Sequence, residues 1–274
     1  MKTYEEKIKE GRDFISYING DDNFPSDQQL KKPQPPLVKG KMSDKQIKLP
    51  MNFENLELNN NMLQVIYNRV SRRVYSGKTM KLLELSFLLW ATQGIKSIRG
   101  NNYCTLRTVP SGGARHGFET YLAIQNVEGL EDGAYHYLPM TNEIEFLHTI
   151  ENYEETVTES IHGQKWGAKA NAVFYWALTP YRNEWRYGTH AHRTVLMDVG
   201  HVGQSLYSAC ESVGLGTCGI ASFVSETCTK MFDLDFEKEF MLYVSPVGTI
   251  NEEDKAKEDD IYAFVKNEPG TQEV

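Results

Sequence analysis

The sequence lacks the patterns that mark several common classes of protein. Its four cysteines (Cys104, Cys210, Cys218 and Cys228) form no C-x-x-C pair and show no zinc-ligand spacing. No apolar run approaches the roughly 18 residues that a membrane-spanning helix needs, and the charged N-terminus MKTYEEKIKEGRDF differs from a secretory signal. These absences predict a cytoplasmic protein with reduced thiols and no membrane partner.

An excess of positive charge is also missing. The 274 residues include 29 Lys and Arg against 37 Asp and Glu, which gives a net charge of −8. Such a chain repels nucleic acid and anionic membranes, so neither is expected as a partner. Any anionic ligand therefore needs a local cluster of basic groups. Hydrophobic residues make up 40% of the chain, enough for a substantial core.

Regular periodicity is weak before residue 56. A short helix is predicted from Tyr4 to Tyr17, and the polar segment that follows it carries four prolines. We interpret residues 1–55 as a proline-rich N-terminal arm, which either drapes over its own domain or wraps a neighbouring subunit. Residues 56–274 then form the folded domain.

The rest of the chain alternates helical patterns with a run of strands. Helices are predicted at residues 62–73, 80–92 and 196–213. The second of these is apolar on nearly every face, which places it in the core or at a subunit interface. Residues 251–260 are expected to form a charged surface stretch. Strands are predicted at residues 121–125, 134–138, 144–148, 172–178 and 240–247. The pattern indicates an α+β fold with a mostly antiparallel sheet flanked by helices.

Two segments offer groups that bind anions. Arg69, Ser71 and Arg73 follow one another at a predicted helix end, and guanidinium groups with a hydroxyl suit a phosphate. A solvated basic helix end is the alternative. In the second segment, Pro110-Ser111-Gly112-Gly113, the glycines let backbone amides approach a ligand closely, and Arg115 adds charge. The alternative for this segment is a glycine-rich connection between elements.

Two further segments match motifs only superficially. Residues 214–219, GLGTCG, have the letters of a dinucleotide-binding motif, but they follow a predicted helix instead of a strand, so we reject that interpretation. His190, His192, Asp198 and His201 have the side chains of a metal site. Because their spacing shows no supporting pattern, no metal site is predicted.

Taken together, these segments resemble the nitroreductase superfamily, and within it the SagB-type or thiazole/oxazole-dehydrogenase branch. The most specific stretches are LLWATQGI, RTVPSGGARHGFETYLAI and VEGLEDGAYHYLP, which combine a Trp-Ala-x-Gln-Gly helix end with a Pro-Ser-x-Gly-Ala-Arg-His loop. DVGHVGQSLYSACESVGLGTCGI is similar to the helix and strand that follow in this branch. The resemblance covers about residues 62–250 and leaves the arm outside.

The resemblance implies a nitroreductase-like fold, an FMN cofactor held between the subunits of a homodimer, and NAD(P)H as electron donor. It assigns three groups of residues to FMN: a phosphate and flavin-edge motif, a loop over the flavin, and a strand beside its reactive edge. These are Arg69, Ser71 and Arg73; Pro110, Ser111, Gly112, Gly113 and Arg115; and Gly219, Ile220, Ala221 and Ser222. The protein would be an FMN-dependent oxidoreductase, with chemistry supplied by the cofactor.

The substrate position of the family falls on Arg186 and Tyr187. Azoline-oxidising members carry a Lys-Tyr pair here, and a lysine can act as a base whereas arginine stays protonated. We therefore expect this pair to bind an anionic or carbonyl-bearing small molecule or peptide, with a proton supplied by Tyr187 or water. Azoline-to-azole oxidation of a modified peptide and flavin binding without turnover remain the alternatives.

Overall fold

A seven-stranded antiparallel sheet runs through the chain, with helices on both faces. The computed structural model describes residues 2–16 and 24–258. The strand order is β1-β6-β5-β4-β7-β9-β8, and β2 and β3 form a separate hairpin. This architecture confirms the predicted α+β fold class. The strands are β1 (Gln46–Lys48), β2 (Ile95–Arg99), β3 (Cys104–Arg107), β4 (Phe118–Ile124), β5 (Gly133–Leu138), β6 (Glu143–His148), β7 (Ala172–Leu178), β8 (Leu215–Thr217) and β9 (Phe240–Thr249).

Alternation along the central strands separates two cores. On β7, Phe174 and Trp176 pack towards one face, and Val173 and Tyr175 pack towards the other. The first face is covered by α3 and α6, and the second by α4 and α7. Because both faces are covered, β7 is apolar throughout, as predicted for a central strand. The helices are α1 (Tyr4–Ser16), α2 (Met62–Asn68), α3 (Leu82–Gln93), α4 (Tyr153–Ser160), α5 (Tyr181–Tyr187), α6 (Ala191–Ser212) and α7 (Ser225–Met231).

The helix predicted to end at Arg73 is shorter than expected. It ends at Asn68, and the chain then leaves the helical conformation at Arg69. The backbone N–H of Arg72 donates to the Thr217 carbonyl at 2.9 Å, beside β8, and that of Ser76 donates to the Thr249 carbonyl at 2.7 Å. The segment therefore takes its backbone hydrogen bonds from the edge of the sheet instead of from a further helical turn.

The apolar helix α3 belongs to the core of its own chain. Leu85, Leu88 and Leu89 on α3 are fully buried. This confirms the core alternative for α3 and removes it as the reason for expecting a subunit interface. The large exposed apolar side chains lie elsewhere, and a cluster of them is on α2: Met62, Leu63, Ile66 and Tyr67.

Residues 251–258 form a charged and mostly exposed segment, as expected, but two of their carboxylates are buried. Residues 252–258 are helical, and Asp254 and Glu258 on this segment are only 5% and 4% exposed. Glu258 is held by the Arg72 guanidinium at 3.4 Å and by the backbone N–H of Arg73. The pairing with Arg72 explains how this carboxylate is buried, which charge patterning along the sequence does not reveal. Residues 259 and 260, the end of the predicted stretch, lie outside the described residues, as does Tyr17 at the predicted end of α1.

The proline-rich part of the arm lies against its own chain. Its backbone carbonyl at Lys32 accepts from the Trp185 indole at 3.0 Å, and its N–H at Gln28 donates to the Trp185 carbonyl at 2.7 Å. After the prolines, β1 pairs antiparallel with β6 at the edge of the sheet. Within the described residues the arm therefore follows the draping alternative and adds a strand.

A buried ionic network fastens the arm to the sheet. The fully buried His136 ring lies between two carboxylates, with Nδ1 at 2.7 Å from Glu145 and Nε2 at 3.3 Å from Glu119. Arg182 pairs with the other side of Glu119. Although burial opposes its charge, Arg182 and His136 hold the pKa of Glu119 well below its usual value. Both carboxylates thus stay charged acceptors inside the protein.

Backbone amides of the arm donate hydrogen bonds to these two carboxylates. The N–H of Lys39 donates to Glu119 at 2.8 Å, and those of Met42 and Ser43 donate to Glu145 at 3.0 and 2.9 Å. Hydrogen bonds to an ionised acceptor are stronger than neutral ones. Since the bonds go to backbone groups, the arm is held at this point whatever its side chains are.

We predict that the stabilising contribution of His136 is lost as pH rises. Burial alone would lower the pKa of His136, but the hydrogen bonds to Glu119 and Glu145 outweigh burial and raise it. Below about pH 6.5 the ring is protonated in the folded and unfolded states alike, so its contribution is fully present. As pH rises through the raised folded-state pKa, the contribution disappears because the unfolded state has released its proton first.

Urea unfolding from about pH 6 to about pH 9 measures this effect as a falling free energy of unfolding. The fall should be much smaller in His136→Gln. His148→Gln, which changes a half-exposed histidine on the same sheet, serves as the control and should keep the wild-type slope. Equal slopes in the wild type and His136→Gln would contradict the prediction.

Candidate functional site

The predicted glycine-rich loop is fastened to α6 by a carboxylate. The hydroxyl of Ser111 donates to Asp198 at 2.7 Å, and the N–H of Gly112 donates to the same carboxylate at 3.0 Å. The N–H of His116 closes the loop by donating to the Ser111 hydroxyl at 2.9 Å. Burial raises the pKa of Asp198, and the bonds from Ser111 and Gly112 oppose that rise. Ser111 and the Gly112 amide therefore fix the shape of the loop, with Pro110 leading into it.

Close packing explains the two glycines of this loop. A Cβ on Gly113 would lie 2.6 Å from Arg186 Nε and 2.5 Å from the Tyr187 hydroxyl, and one on Gly112 would lie 2.3 Å from the Thr194 methyl. Gly113 also has a φ of +58°, which favours glycine. The structure thus brings the predicted loop and the predicted substrate pair of α5 into contact.

Arg115 stabilises the loop through hydrogen bonds to backbone carbonyls. The residue is 4% exposed, and its guanidinium donates to the Gly113 carbonyl at 3.1 Å and to the Tyr103 carbonyl at 2.9 Å. The same group lies over the rings of Tyr103 and Trp185, at 4.9 and 5.5 Å from their centroids. Burial lowers the pKa of Arg115. These contacts give Arg115 a structural role within the chain.

The predicted phosphate motif gathers around Tyr207 of α6. The Tyr207 hydroxyl lies 3.0 Å from that of Ser71 and accepts the N–H of Gly219 at 2.7 Å. The Arg69 guanidinium sits 5.3 Å from the centre of the Tyr207 ring. Among the described residues, no carboxylate lies within ion-pair distance of Arg69. The arginine motif and the segment that begins at Gly219 therefore meet at Tyr207. The Arg69 guanidinium beside this tyrosine is available to an anion.

Arg73 lies on the other side of this motif. Its backbone N–H donates to Glu258, and its guanidinium is 5.9 Å from the centre of the Trp166 ring. The buried Glu258 carboxylate makes the surroundings of this backbone unfavourable for a second anion. An anionic group thus fits on the Arg69 and Ser71 side of the motif.

The predicted flavin-side strand, residues 219–222, is a single backbone bridge at Ile220 followed by exposed residues without regular structure. A Cβ on Gly219 would meet the Tyr243 hydroxyl at 1.8 Å, so only glycine fits there. Ile220 is buried, and its backbone exchanges hydrogen bonds with Val244 at 2.7 and 3.1 Å. Ala221 and Ser222 are exposed, and the Ser222 hydroxyl lies 3.1 Å from His162. The exposed Ala221 backbone is therefore the part of this segment that a ligand can reach.

The GLGTCG motif has structural reasons for its glycines. Gly214 follows the end of α6 with a φ of +72°, and a Cβ on Gly216 would meet the Arg72 side chain at 2.7 Å. The motif follows a helix, as the sequence predicted, which agrees with the rejection of a dinucleotide-binding fold.

The histidines near α6 make ordinary polar contacts. His192 pairs with Glu184 at 2.8 Å, and Asp198 is engaged by the loop. In the ranges 2–16 and 24–258, no group of three His, Cys, Asp or Glu side chains is arranged to hold a metal ion. The same ranges contain no helix with the length and apolarity to span a membrane.

The two halves of the candidate site lie on different sides of α6. Asp198, which holds the loop, and Tyr207, which holds Ser71 and Gly219, are nine residues apart. At 1.5 Å and 100° per residue this places them about 13 Å apart along the axis and about half a turn around it. The arginine motif and the loop are therefore well separated within one chain.

Tyr207 and Asp198 are the site-forming residues that sequence reasoning missed in these roles. Asp198 offered a signal, because it interrupts the apolar helical stripe of Val195, Val202 and Leu206. A charge in such a stripe needs a partner. Tyr207 offered none, since a tyrosine on an amphipathic helix is compatible with simple packing.

Comparison with known proteins shows what this chain is similar to. The model of the nitroreductase family matches residues 66–249. A protein of Methanocaldococcus jannaschii named as a nitroreductase is 32% identical over 203 residues, which cover 74% of this chain and 96% of the relative.

Two solved structures share the fold at lower identity. A nitroreductase-named chain from Anabaena variabilis has 23% identity and a TM-score of 0.60; the match covers 78% of this chain but only 45% of that one. A chain of the E. coli microcin synthetase McbBCD complex with truncated pro-MccB17 bound has 20% identity and a TM-score of 0.56, and the match covers 91% and 95% of the two chains.

Proposed function

This chain belongs to the nitroreductase family, and from that premise we propose that it is an FMN-dependent oxidoreductase that receives electrons from NAD(P)H. The observation that carries the proposal is the cluster of Arg69, Ser71 and the Gly219–Ala221 backbone around Tyr207. It supplies a local cation in a chain of net charge −8, next to an exposed backbone. The phosphate of FMN needs the cation, and the flavin ring needs a backbone that it can reach.

The residues present fit FMN in a specific way. Arg69 and the Ser71 hydroxyl would hold the phosphate, because a guanidinium and a hydroxyl both donate to phosphate oxygens. The exposed Ala221 would offer its backbone N–H to the flavin, and the loop Pro110–Gly113 would contribute to the same site. Arg73, at the end of the same motif, would add a second positive charge. No adenine-binding pattern accompanies these residues, which favours FMN over FAD.

FMN would supply the two-electron chemistry between NAD(P)H and a second substrate. The protein contributes position and charge. The Arg186 guanidinium attracts an anionic or carbonyl-bearing substrate to the loop. Tyr187, whose hydroxyl packs on Gly113, delivers a proton to the reduced product or relays one from water.

A homodimer would unite the two halves of the site. The loop held by Asp198 and the motif held by Tyr207 are separated within one chain, so each cofactor would take the loop from the partner subunit. The exposed apolar residues that would form this interface lie on α2 and α6: Met62, Leu63, Ile66, Tyr67, Leu196 and Met197. Exposed apolar surface of this extent is typical of an interface.

The SagB-type branch, with azoline-to-azole oxidation, is the second candidate. The fold likeness to a microcin synthetase chain across 91% of this chain favours it, since the likeness includes the arm region. Arg186 argues against it, because a guanidinium offers no base to remove a proton from carbon at neutral pH. We therefore propose reductase chemistry and keep azoline oxidation as the second candidate.

The reductase proposal is tested on the purified protein. Heat-released cofactor should have the mass of FMN, and NAD(P)H should bleach the flavin absorbance, which a quinone or nitroarene then restores. A cofactor with the mass of FAD contradicts the FMN assignment. Flavin that NAD(P)H does not bleach indicates binding without turnover. Azole formation on an azoline peptide at the rate of quinone reduction would favour the second candidate.

Arg69→Ala is expected to weaken FMN binding by about 10- to 150-fold, because a charge-assisted contact is worth ~1.5–3 kcal/mol. Quenching of FMN fluorescence on titration with the apoprotein measures the affinity. Arg12→Ala, on the exposed surface of α1, is the matched control and should bind FMN like the wild type. An unchanged affinity in Arg69→Ala would show that this arginine belongs to a solvated helix end.

The dimer is tested by light scattering of flavin-loaded protein, which should give twice the chain mass of 31.3 kDa. Ile66→Asp puts a charge into the exposed α2 cluster and should shift the protein towards the monomer. Ile98→Asp, at another exposed isoleucine, should leave the dimer intact. A wild-type mass of one chain with flavin bound would refute the proposal.

A further inference from the structure

A pocket of about 590 Å³ opens between the arm and the end of α5. The arm contributes Phe24, Pro25 and Gln28 to its lining, and the domain contributes Arg186 and Tyr187. We propose that residues 24–29 of the arm form one wall of the substrate pocket and select planar aromatic anions, with Tyr103 as the positioning residue for Arg186. This inference rests on the proposed function, in which Arg186 and Tyr187 face the second substrate.

The arm wall is fixed to the helix that carries the substrate pair. The N–H of Gln28 donates to the Trp185 carbonyl at 2.7 Å, and the Tyr181 hydroxyl donates to Asp27 at 2.8 Å. Further along the arm, the Trp185 indole donates to the Lys32 carbonyl at 3.0 Å. Because these bonds join the arm to α5 itself, the wall keeps its distance from Arg186.

Tyr103 links the arm to Arg186 directly. Its hydroxyl oxygen accepts the Gln28 side-chain amide at 2.9 Å and also accepts from the Arg186 guanidinium. The guanidinium lies 5.5 Å from the centre of the Tyr187 ring, so it is held between two tyrosines. An arginine fixed in this way loses less side-chain freedom when it binds an anion, which strengthens binding.

The lining specifies the class of ligand. Among the described residues that line the pocket, none is acidic, and Arg186 supplies positive charge. The rings of Phe24 and Tyr187 and the pyrrolidine of Pro25 offer flat apolar surfaces for a ring. Phe24 is 78% exposed, an arrangement that suits a side chain at the mouth of a binding pocket. A planar ring that carries a carboxylate satisfies both features.

One wall of the pocket lies outside the part of the chain that matches the family, whereas Arg186 and Tyr187 lie within it. The family match begins at residue 66, whereas the wall is formed by residues 24–29. The arm therefore adds a surface that family members without it do not have. It meets the loop of the candidate site at Arg186 and Tyr187, which pack on Gly113.

Calorimetry with benzoate, and with benzamide as its uncharged counterpart, tests the inference on the purified protein. Benzoate should bind more tightly than benzamide. Arg186→Gln should reduce benzoate affinity about ten-fold or more and leave benzamide affinity nearly unchanged. Phe24→Ala should weaken both ligands, while Phe236→Ala, which removes an exposed phenyl distant in sequence from the pocket residues, should weaken neither.

Tyr103→Phe separates positioning from structural support. It should lower the ratio of benzoate to benzamide affinity about three-fold or more, because it removes the hydroxyl that orients Arg186. A variant that is merely less well packed would lose both affinities equally, and that outcome would overturn the role of Tyr103. For reduction of 4-nitrobenzoate, the same variant should raise KM more than it lowers kcat.

The outcomes also separate this inference from the proposed function. Equal binding of benzoate to the wild type, Arg186→Gln and Phe24→Ala would overturn the arm pocket and leave flavin turnover untouched. Benzoate binding that depends on these residues in a protein without flavin turnover would support the pocket and defeat the reductase proposal. Absence of measurable benzoate binding would overturn the assigned ligand class.

Discussion

Burial of β7 on both faces is the constraint on which the rest of the structure depends. All seven of its residues are at most 2% exposed, and the strand pairs with β4 on one side and β9 on the other. A sheet of this kind must be covered twice, so α6 has to cross one face while α4 covers the other. Since α6 is fixed by the core, its remaining surface can hold Asp198 and Tyr207 in defined places. The candidate site is thus a consequence of how the sheet is covered.

Charge inside the protein serves structure as well as ligand binding. The Glu119–His136–Glu145 cluster keeps two carboxylates ionised in the interior, and the arm uses them as acceptors for its backbone. Removing one member of such a cluster leaves its partners buried and unpaired, which is the costly case for buried ions. In contrast, Arg69 lies against the Tyr207 ring, and among the described residues no carboxylate lies within ion-pair distance of it. That difference distinguishes a basic residue suited to an anionic ligand from one engaged in the fold, such as Arg182.

The arm connects these two uses of charge. The buried cluster holds it at Lys39, Trp185 holds it at Lys32, and residues 24–29 lie beside Arg186. In the proposed pocket, a segment without a core of its own thereby becomes part of a binding surface. The proposed boundary at residue 55 does not coincide with the edge of the sheet, since the segment before it supplies β1.

The sequence by itself determined the class of fold, the central strands and the family. Alternation and apolar runs located β4 to β7 and β9 because side-chain burial in a sheet repeats every two residues. It also identified the four segments that carry the candidate site. Periodicity was misleading at residues 69–73, where local helical spacing competed with hydrogen bonds to β8 that are distant in the chain. Only the tertiary structure decided which partners the charged side chains have. Arg115 contacts Tyr103 and Trp185, and Glu258 is buried against Arg72 and Arg73. Asp198 binds the loop. Each of these contacts joins residues far apart in sequence, and no local pattern encodes which of several similar charges will meet.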